Sequence, residues 1–325
     1  MDHPARPDGD EQRPDEARPP SVTVVIATRD RPVLLRRAVA SVLAQRYDGD
    51  LEVLAVFDQS EPEADLGRDE VTPEGARRRV RALRNVRVAG LAGARNTGLT
   101  AATGDLVAFC DDDDLWLANK LTAQVALLVA DPALELVTAG VLVAARGRVS
   151  TRVLDRSRIT HAELLRSRVS EAHPSTYLVR RTAVLNGIGL IDEELPGSYA
   201  EDYDFLLRAA RRADVGAVNL PLAKVFWHRS SFFAERWQTI VDALDHLVAA
   251  HPELATVPAG LARIEGQQAF ARASMGDRRG AWVTARRALG RDRRQPRAWL
   301  ALLVASGAVR SEWVLRALQA GGRGI

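Results

Sequence analysis

Cysteine is nearly absent from this chain of 325 residues: Cys110 is the only one, which excludes an intrachain disulfide. It falls in an apolar run that predicts a buried strand, and a reduced thiol there is typical of a cytoplasmic protein. A long apolar segment is missing too. The longest charge-free stretch of the C-terminal part, Ala298–Val309, is shorter than the ~20 residues of a membrane-spanning helix. We therefore predict a cytoplasmic protein, at most peripheral at the inner face of the membrane.

Several other signals are weak or missing. Residues 1–20 lack the apolar core of a signal peptide and are rich in Pro, Asp and Arg, so we predict a disordered tail. His3, His161, His246 and His251 do not have the spacing of a zinc site. The net charge is only +3 and no nucleic-acid-binding module accompanies it, so we predict no nucleic-acid partner.

The chain after the tail is typical of a globular α/β protein, with 46% hydrophobic residues overall. Ser21–Thr28 is a β-branched run that predicts a buried strand. A helix should follow, with Asp30 as its N-cap and Pro32 in its first turn. Leu51–Phe57 predicts a second strand, and together these form a β-α-β unit. The polar segment 61–84 predicts a surface excursion with a helix over 74–83.

Four consecutive aspartates, Asp111–Asp114, directly follow the apolar run Leu106–Cys110. Open α/β sheets place their ligand sites at the carboxyl ends of strands, where these side chains are expected. Adjacent carboxylates repel one another unless a cation is present, and hard oxygen ligands favour Mg²⁺ or Mn²⁺. The alternative is an acidic N-cap for a helix that starts near Leu117.

The residues around this cluster resemble a known family. The stretch LAGARNTGLTAATGDLVAFCDDDDLW (residues 91–116) resembles the nucleotide-sugar-binding half of family 2 glycosyltransferases. A second stretch, STYLVRRTAVLNGIGLIDEELPGSYAEDYDFLLRAARR (residues 175–212), resembles the acceptor half of the same family. The resemblance implies the GT-A fold, a Rossmann-like mixed sheet flanked by helices. We predict this domain over residues 21–237, with a donor half (21–116), an acceptor half (117–237) and a helical extension over 238–325.

The resemblance also implies contacts with a nucleoside-diphosphate sugar, the expected donor. Thr28 matches a residue in a loop over the nucleotide, and Asp58 matches an acidic residue that accepts a hydrogen bond from the base. The family usually has Asp-Asp-Gly-Ser where this chain has Phe57-Asp58-Gln59-Ser60, so the match can be shifted by one position. Arg95 is expected to reach the base or the diphosphate. The alternatives are a turn residue for Asp58 and a surface arginine for Arg95.

For the acidic cluster, the resemblance implies a division of roles. Asp113 is the expected direct ligand of the divalent metal. Asp111 and Asp112 are expected to contact metal, ribose or both. Asp114 is expected to orient the donor sugar, or to contact the metal ligands without binding the metal itself. The metal would neutralise the charge of the leaving nucleoside diphosphate.

On the acceptor side, Glu201 and Asp202 begin a predicted amphipathic helix that runs to about Arg212. The family's general base occupies the second position of this pair, so Asp202 is expected to take the proton of an acceptor hydroxyl. Glu201 is assigned to positioning or to donor-sugar contact. A single carboxylate base and no enzymic nucleophile fit inversion at the anomeric carbon. The alternative is a pair that only complements the helix dipole.

Two histidines remain open. His228 follows an apolar run, and a histidine near this point in related enzymes meets the metal or the diphosphate; otherwise it is an ordinary residue at a strand end. His173 is either an acceptor-loop contact or an ordinary loop residue.

The extension is rich in arginine and also contains Trp282 and Trp299. Its closely spaced arginines are Arg278, Arg279, Arg286, Arg287, Arg291, Arg293, Arg294 and Arg297. They form a peripheral membrane face, a docking surface for an anionic acceptor, or a solvated helix face.

The sequence thus predicts a metal-dependent, inverting glycosyltransferase that acts on a hydroxyl acceptor. The alternatives are a non-catalytic sugar-nucleotide-binding or scaffold protein of the same fold, and a metal-dependent phosphoryl-transfer enzyme.

Overall fold

A computed structural model describes residues 18–145, 147–227 and 236–320 of the chain. The strands in these residues are β1 (Val22–Thr28), β2 (Leu51–Phe57), β3 (Arg68–Val71), β4 (Arg77–Arg84), β5 (Leu106–Phe109), β6 (Leu115–Trp116), β7 (Leu136–Ala145), β8 (Arg148–Arg152), β9 (Arg158–Ile159), β10 (Leu178–Arg180) and β11 (Val215–Phe226). The helices are α1 (Pro32–Leu43), α2 (Leu91–Ala101), α3 (Lys120–Ala130), α4 (His161–Arg166), α5 (Arg181–Ala183), α6 (Glu201–Arg212), α7 (Trp237–Ala250), α8 (Pro258–Ser274), α9 (Arg278–Arg291), α10 (Pro296–Ala305) and α11 (Ser311–Ala320).

One mixed sheet runs through the structure in the order β3-β4-β2-β1-β5-β10-β7-β11-β6, with β8 beside β7 and β9 beside β11. Strands β4, β2, β1 and β5 are mutually parallel. Thr28 pairs with Phe57, so β1 and β2 end at the same level. The loops that follow these strands therefore meet at one edge of the sheet, where open α/β sheets bind ligands. β10 is antiparallel to both β5 and β7 and joins the two halves.

The core lies on both faces of the sheet, because side chains alternate along each strand. In β1, Val25 belongs to one hydrophobic cluster and Val24 and Ile26 to the other. Helix α2 approaches the first face so closely that a Cβ on Gly98 would lie 2.3 Å from Cγ1 of Val25. Only glycine fits at this position, which explains one small residue of the motif by packing rather than by chemistry.

Three local predictions were wrong. The helix expected over 74–83 is replaced by β4, whose Val80 is buried and whose residues pair with β2 in register, so burial of alternate side chains outweighs helix propensity. Asp30 has a φ of 53° and is not the cap; α1 begins at Pro32 with Arg31 before it. The helix after the aspartates begins at Lys120, because Leu115–Trp116 first pairs with β11 as β6.

The C-terminal helices are joined to the sheet domain by a shared core. Leu244 and Leu247 of α7 and Ile264 of α8 belong to the same cluster as Phe205 and Leu207 of α6. A separate, alanine-rich cluster joins α8 to α9, α10 and α11. The domain boundary near residue 237 stays a prediction, although the continuous core shows that α7 and α8 complete the neighbouring domain. Among the described residues, no helix is long and apolar enough to cross a membrane.

Candidate active site

The carboxyl ends of β1, β2 and β5 bring the predicted donor residues together. Thr28 Oγ1 donates to Oδ2 of Asp112 at 2.8 Å, and Arg31 Nη1 donates to Oδ1 of the same carboxylate at 3.0 Å. Burial raises the pKa of Asp112, an effect that these two donors oppose and the charge of Asp111 adds to. Arg31, which follows the first strand, had no role in the sequence interpretation. It also donates to Oδ2 of Asp113 at 3.2 Å.

Asp58 lies buried beside the same loops and is surrounded by donors. Oδ1 accepts from Asn85 Nδ2 at 2.9 Å and from the backbone N–H of Gly90 at 3.1 Å, and Oδ2 accepts from Gln59 Nε2 at 3.0 Å. Burial would raise the pKa of Asp58, but these hydrogen bonds hold it below its ordinary value. Asp58 is therefore a fixed, ionised acceptor, and its contact with a base stays a prediction.

Arg95 connects the donor side to the acceptor side. Its side chain is buried; Nη2 donates to Asp111 Oδ1 at 2.6 Å, and Nη1 donates to Glu201 Oε1. The guanidinium also lies 5.4 Å from the ring centroid of Phe109. In this structure it pairs with two carboxylates, and the predicted contact with a base or diphosphate is untested. Asp111 and Glu201 belong to two motifs that are about 90 residues apart in sequence. Because Arg95 contacts both side chains, the bridge places the two motifs in one cleft.

Asp111 and Asp114 form a candidate metal centre with His173. One ligand atom from each of these residues lies within 4.8 Å of the others. Asp114 accepts from Ser175 Oγ at 2.6 Å and from the backbone N–H of Phe226 at 3.3 Å. Burial and the charge of Asp111 nevertheless raise the pKa of Asp114 well above its ordinary value. A cation would relieve this repulsion, and two carboxylates with one imidazole suit Mn²⁺.

This geometry differs in detail from the sequence prediction. His173, left open between an acceptor-loop contact and a loop residue, lies in the candidate metal centre, whereas Asp113 is paired with Arg31. Burial lowers the pKa of His173, which favours the neutral form that binds metals. The assignment of Asp113 as direct ligand stays a prediction. His228 lies outside the described residues. Spacing could not reveal His173, because it is 59 residues from Asp114 and only the fold joins them.

Glu201 and Asp202 occupy the first turn of α6, and both are buried. Burial raises the pKa of Glu201 to about 7; Arg95 opposes this shift and the charges of Asp202 and Asp111 add to it. Asp202 behaves differently. Arg168 Nη2 donates to its Oδ1 and Oδ2 at 2.7 and 2.6 Å, and although burial acts in the opposite direction, Arg168 holds the pKa of Asp202 below its ordinary value. Sequence reasoning missed Arg168, which stands in an unremarkable loop.

The class of fold follows from the order of the strands and from the aspartates at the carboxyl end of β5. Solved structures have the same fold. The structure of S. aureus TarS 1–349 in complex with UDP-GlcNAc superimposes with a TM-score of 0.59 at 14% identity, over 89% of this chain and 92% of that chain. The mannosyltransferase PcManGT from Pyrobaculum calidifontis, in complex with GDP-Man and Mn²⁺, gives 0.52 at 20% identity, over 91% and 81%. The chain has the GT-A fold, as the sequence predicted.

Residues 23–183 match the family "Glycosyl transferase family 2", and the chain belongs to this family. A similar curated protein is the UDP-Glc:alpha-D-GlcNAc-diphosphoundecaprenol beta-1,3-glucosyltransferase WfgD of Escherichia coli, 35% identical over 108 residues. That match covers 33% of this chain and 41% of WfgD. The succinoglycan biosynthesis protein ExoW of Rhizobium meliloti is 42% identical over 108 residues, 31% of each chain. The matches thus span well under half of these relatives.

Proposed function

We propose that this protein transfers a glycosyl group from a nucleoside-diphosphate sugar to an acceptor hydroxyl, by direct displacement with inversion. The observation that carries the proposal is the bridge Asp111–Arg95–Glu201. It holds the acidic cluster and the buried carboxylate pair of α6 in one cleft, as a displacement with base and leaving group on opposite sides of the anomeric carbon requires. The match of residues 23–183 to family 2 glycosyltransferases counts against the phosphoryl-transfer alternative.

The donor side supplies binding and charge. Thr28, Asp58 and Asp112 line the loops at the carboxyl ends of the parallel strands, where the nucleoside is expected to lie. Asp111, Asp114 and His173 would hold a divalent cation, Mn²⁺ or Mg²⁺, which when bound neutralises the diphosphate. Ser175 fixes the carboxylate of Asp114 through a hydrogen bond of 2.6 Å, so that the ligand is oriented before the cation binds.

Asp202 is the proposed general base. Its low pKa makes it a weak base, so the proton should move late, when bond formation has made the hydroxyl acidic. Arg168 occupies both oxygens of this carboxylate, and it must yield at least one of them to the acceptor hydroxyl. Glu201 is held by Arg95, and its proposed role is to position the groups of the cleft rather than to accept the proton.

UDP is the proposed donor nucleotide, because WfgD is named for UDP-Glc and TarS was solved with UDP-GlcNAc. Calorimetry with UDP, GDP and dTDP, each with and without Mn²⁺, tests this. We expect metal-dependent binding of UDP alone among the three, followed by transfer or slow hydrolysis of a UDP-sugar. Equal binding of all three diphosphates without metal would contradict the proposal. Metal-dependent binding without any transfer would favour the non-catalytic alternative.

The C-terminal helices are proposed to contact an anionic membrane surface on the cytoplasmic side. Trp282, Trp299 and Trp313 are 44%, 53% and 65% exposed, and exposed arginines such as Arg286 accompany them. Tryptophan and arginine together are typical of helices that lie at a lipid interface. In a flotation assay we expect the protein to float with phosphatidylglycerol vesicles and not with phosphatidylcholine vesicles. Equal recovery with both would contradict the proposed contact.

A further inference from the structure

Three arginines from three elements converge on the acceptor side of the cleft. Arg168 lies just after α4, Arg263 on α8 and Arg297 on α10. Helix α8 approaches α4 so closely that a Cβ on Gly260 would lie 1.9 Å from the carbonyl oxygen of Leu165. The helical extension is therefore part of the wall beside Asp202, rather than a separate appendage.

Arg263 is held by a neutral partner. Its Nη2 donates to the hydroxyl of Tyr203 at 3.1 Å, and its guanidinium lies 5.3 Å from the centroid of that ring. The hydroxyl of Tyr203 in turn donates to the carbonyl of Leu164 at 2.6 Å. Nε of Arg263 is buried without a hydrogen-bond partner. A buried, unsatisfied donor on a cation is costly unless a ligand completes it.

Arg297 reaches the same face of α8. A Cβ on Gly266 would lie 3.4 Å from Cβ of Arg297, which places the start of α10 against this point of the helix. Arg263 and Gln267 are four residues apart and share that side of α8, and Gln267 donates to Tyr199 Oη at 2.5 Å. Within the described residues, the side chain of Arg297 makes no ion pair, and the ionisable groups that act on its pKa are Arg263, Tyr199 and Arg168 rather than a carboxylate.

Positive charge exceeds negative charge here. Burial and the charge of Arg168 hold the pKa of Arg263 below its ordinary value, and burial with the charges of Arg263 and Arg168 does the same for Arg297. In the part of the chain that the structure describes, Asp202 is the carboxylate paired with this group. The buried Glu265 of α8 is already bound by Arg287 and Arg291, at 2.6 and 3.0 Å.

We propose that Arg168, Arg263 and Arg297 bind the phosphate groups of a glycosyl-diphosphate acceptor, beside the base that receives the acceptor's proton. This rests on the proposed function and names its acceptor class. Guanidinium groups bind phosphate oxygens through paired hydrogen bonds. A phosphate would therefore give a partner both to the unsatisfied Nε of Arg263 and to Arg297, which makes no ion pair. A phosphate that attracts Arg168 also draws it from Asp202 and frees the carboxylate for the hydroxyl.

The first test measures binding of inorganic pyrophosphate by calorimetry in EDTA, where the metal-free acidic cluster repels anions. R263Q/R297Q is compared with R286Q/R294Q, which removes the same charge from exposed positions of the extension. We expect a loss of about 10- to 100-fold for the first pair, the effect of losing charge-assisted hydrogen bonds, and less than about twofold for the second. Equal affinities in both pairs would overturn the proposal. R297Q alone, which removes no internal hydrogen bond, serves if the double variant does not fold.

The second test separates an acceptor phosphate from a lipid headgroup. Transfer is measured to a glycosyl diphosphate with a short alkyl chain and to the matching alkyl glycoside without phosphate. R263Q/R297Q should raise KM at least about tenfold for the diphosphate only, with UDP affinity unchanged. If the variant instead lost binding to phosphatidylglycerol vesicles and kept its KM, the arginines would belong to a membrane surface and the proposal would fail. Absence of transfer by the wild type would contradict the proposed function, while the pyrophosphate test would still decide the anion site.

Discussion

The donor side and the acceptor side of the cleft balance their charges in different ways. On the donor side, each arginine is matched with carboxylates of the chain itself: Arg31 with Asp112 and Asp113, and Arg95 with Asp111. On the acceptor side, Arg263 faces a phenol. The acidic side is thus short of cations and the basic side short of anions. The two proposed ligands, a metal–diphosphate on one side and an anionic acceptor on the other, would supply the missing charges.

The largest effect is expected from Asp202, where the two sides meet. D202N keeps the shape and cannot accept a proton, so transfer should fall by about two to four orders of magnitude while donor affinity is retained. E201Q is the neighbouring control and should cost less, because Glu201 is already held by Arg95. Initial rates and calorimetric UDP affinities would be measured for both. A D202N enzyme with nearly normal rates would place the base elsewhere.

The next effect concerns the metal. It distinguishes the candidate centre in the structure, formed by Asp111, Asp114 and His173, from the ligand that the motif predicts, Asp113. We expect D111N and D114N to abolish Mn²⁺-dependent UDP binding, because both carboxylates lie in the candidate centre. The motif predicts the same for D113A. If D113A keeps the metal dependence and H173Q weakens it, the centre seen in the structure is the functional one. Calorimetry with and without Mn²⁺ decides between them, and the apo protein should remain folded, since removing a clustered charge relieves repulsion.

Alanine substitutions at two glycines compare how tightly the donor half and the extension are packed. G98A should destabilise the protein by about 1–3 kcal/mol, because the new methyl group would overlap Val25. G290A lies in α9 with no atom near the added Cβ, so it should stabilise by about 0.5–1 kcal/mol through helix propensity. Urea unfolding measures both. A neutral G98A would show that α2 can shift away from β1.

The last effect is a pH dependence of stability from Lys120, whose side chain is fully buried and whose Nζ lies 3.9 Å from the ring centroid of Trp116. Burial lowers its pKa to about 7. Between pH 7 and 10 the unfolded chain holds a proton that the native state lacks, so the free energy of unfolding should rise with pH. The rise is at most about 1.4 kcal/mol per pH unit. K120M, which has no such proton, should lack this slope. Parallel stability curves for the two proteins from pH 6 to 10 would refute the assignment.

The sequence predicted the fold of the donor half well, because strand patterns and the acidic cluster are local signals. It also predicted α6 with its Glu201–Asp202 start. It failed for β4, where alternate burial against β2 determines the structure and nothing local shows it. For the same reason, the place of His173 in the candidate metal centre was not predicted, and Arg168 and Arg263 were given no role. Each lies in an ordinary loop or helix sequence, and only tertiary packing brings it to the cleft.

The ion pair between Arg168 and Asp202 also affects the stability of a donor sugar that is bound in the cleft before an acceptor binds. A free carboxylate there could activate water, and the donor would be hydrolysed without a product. With both oxygens held by Arg168, the carboxylate is a poor proton acceptor for any molecule that does not first displace the arginine. Water carries no charge with which to do so. We therefore expect the resting enzyme to conserve its donor, because Arg168 limits the wasteful hydrolysis of nucleotide sugar.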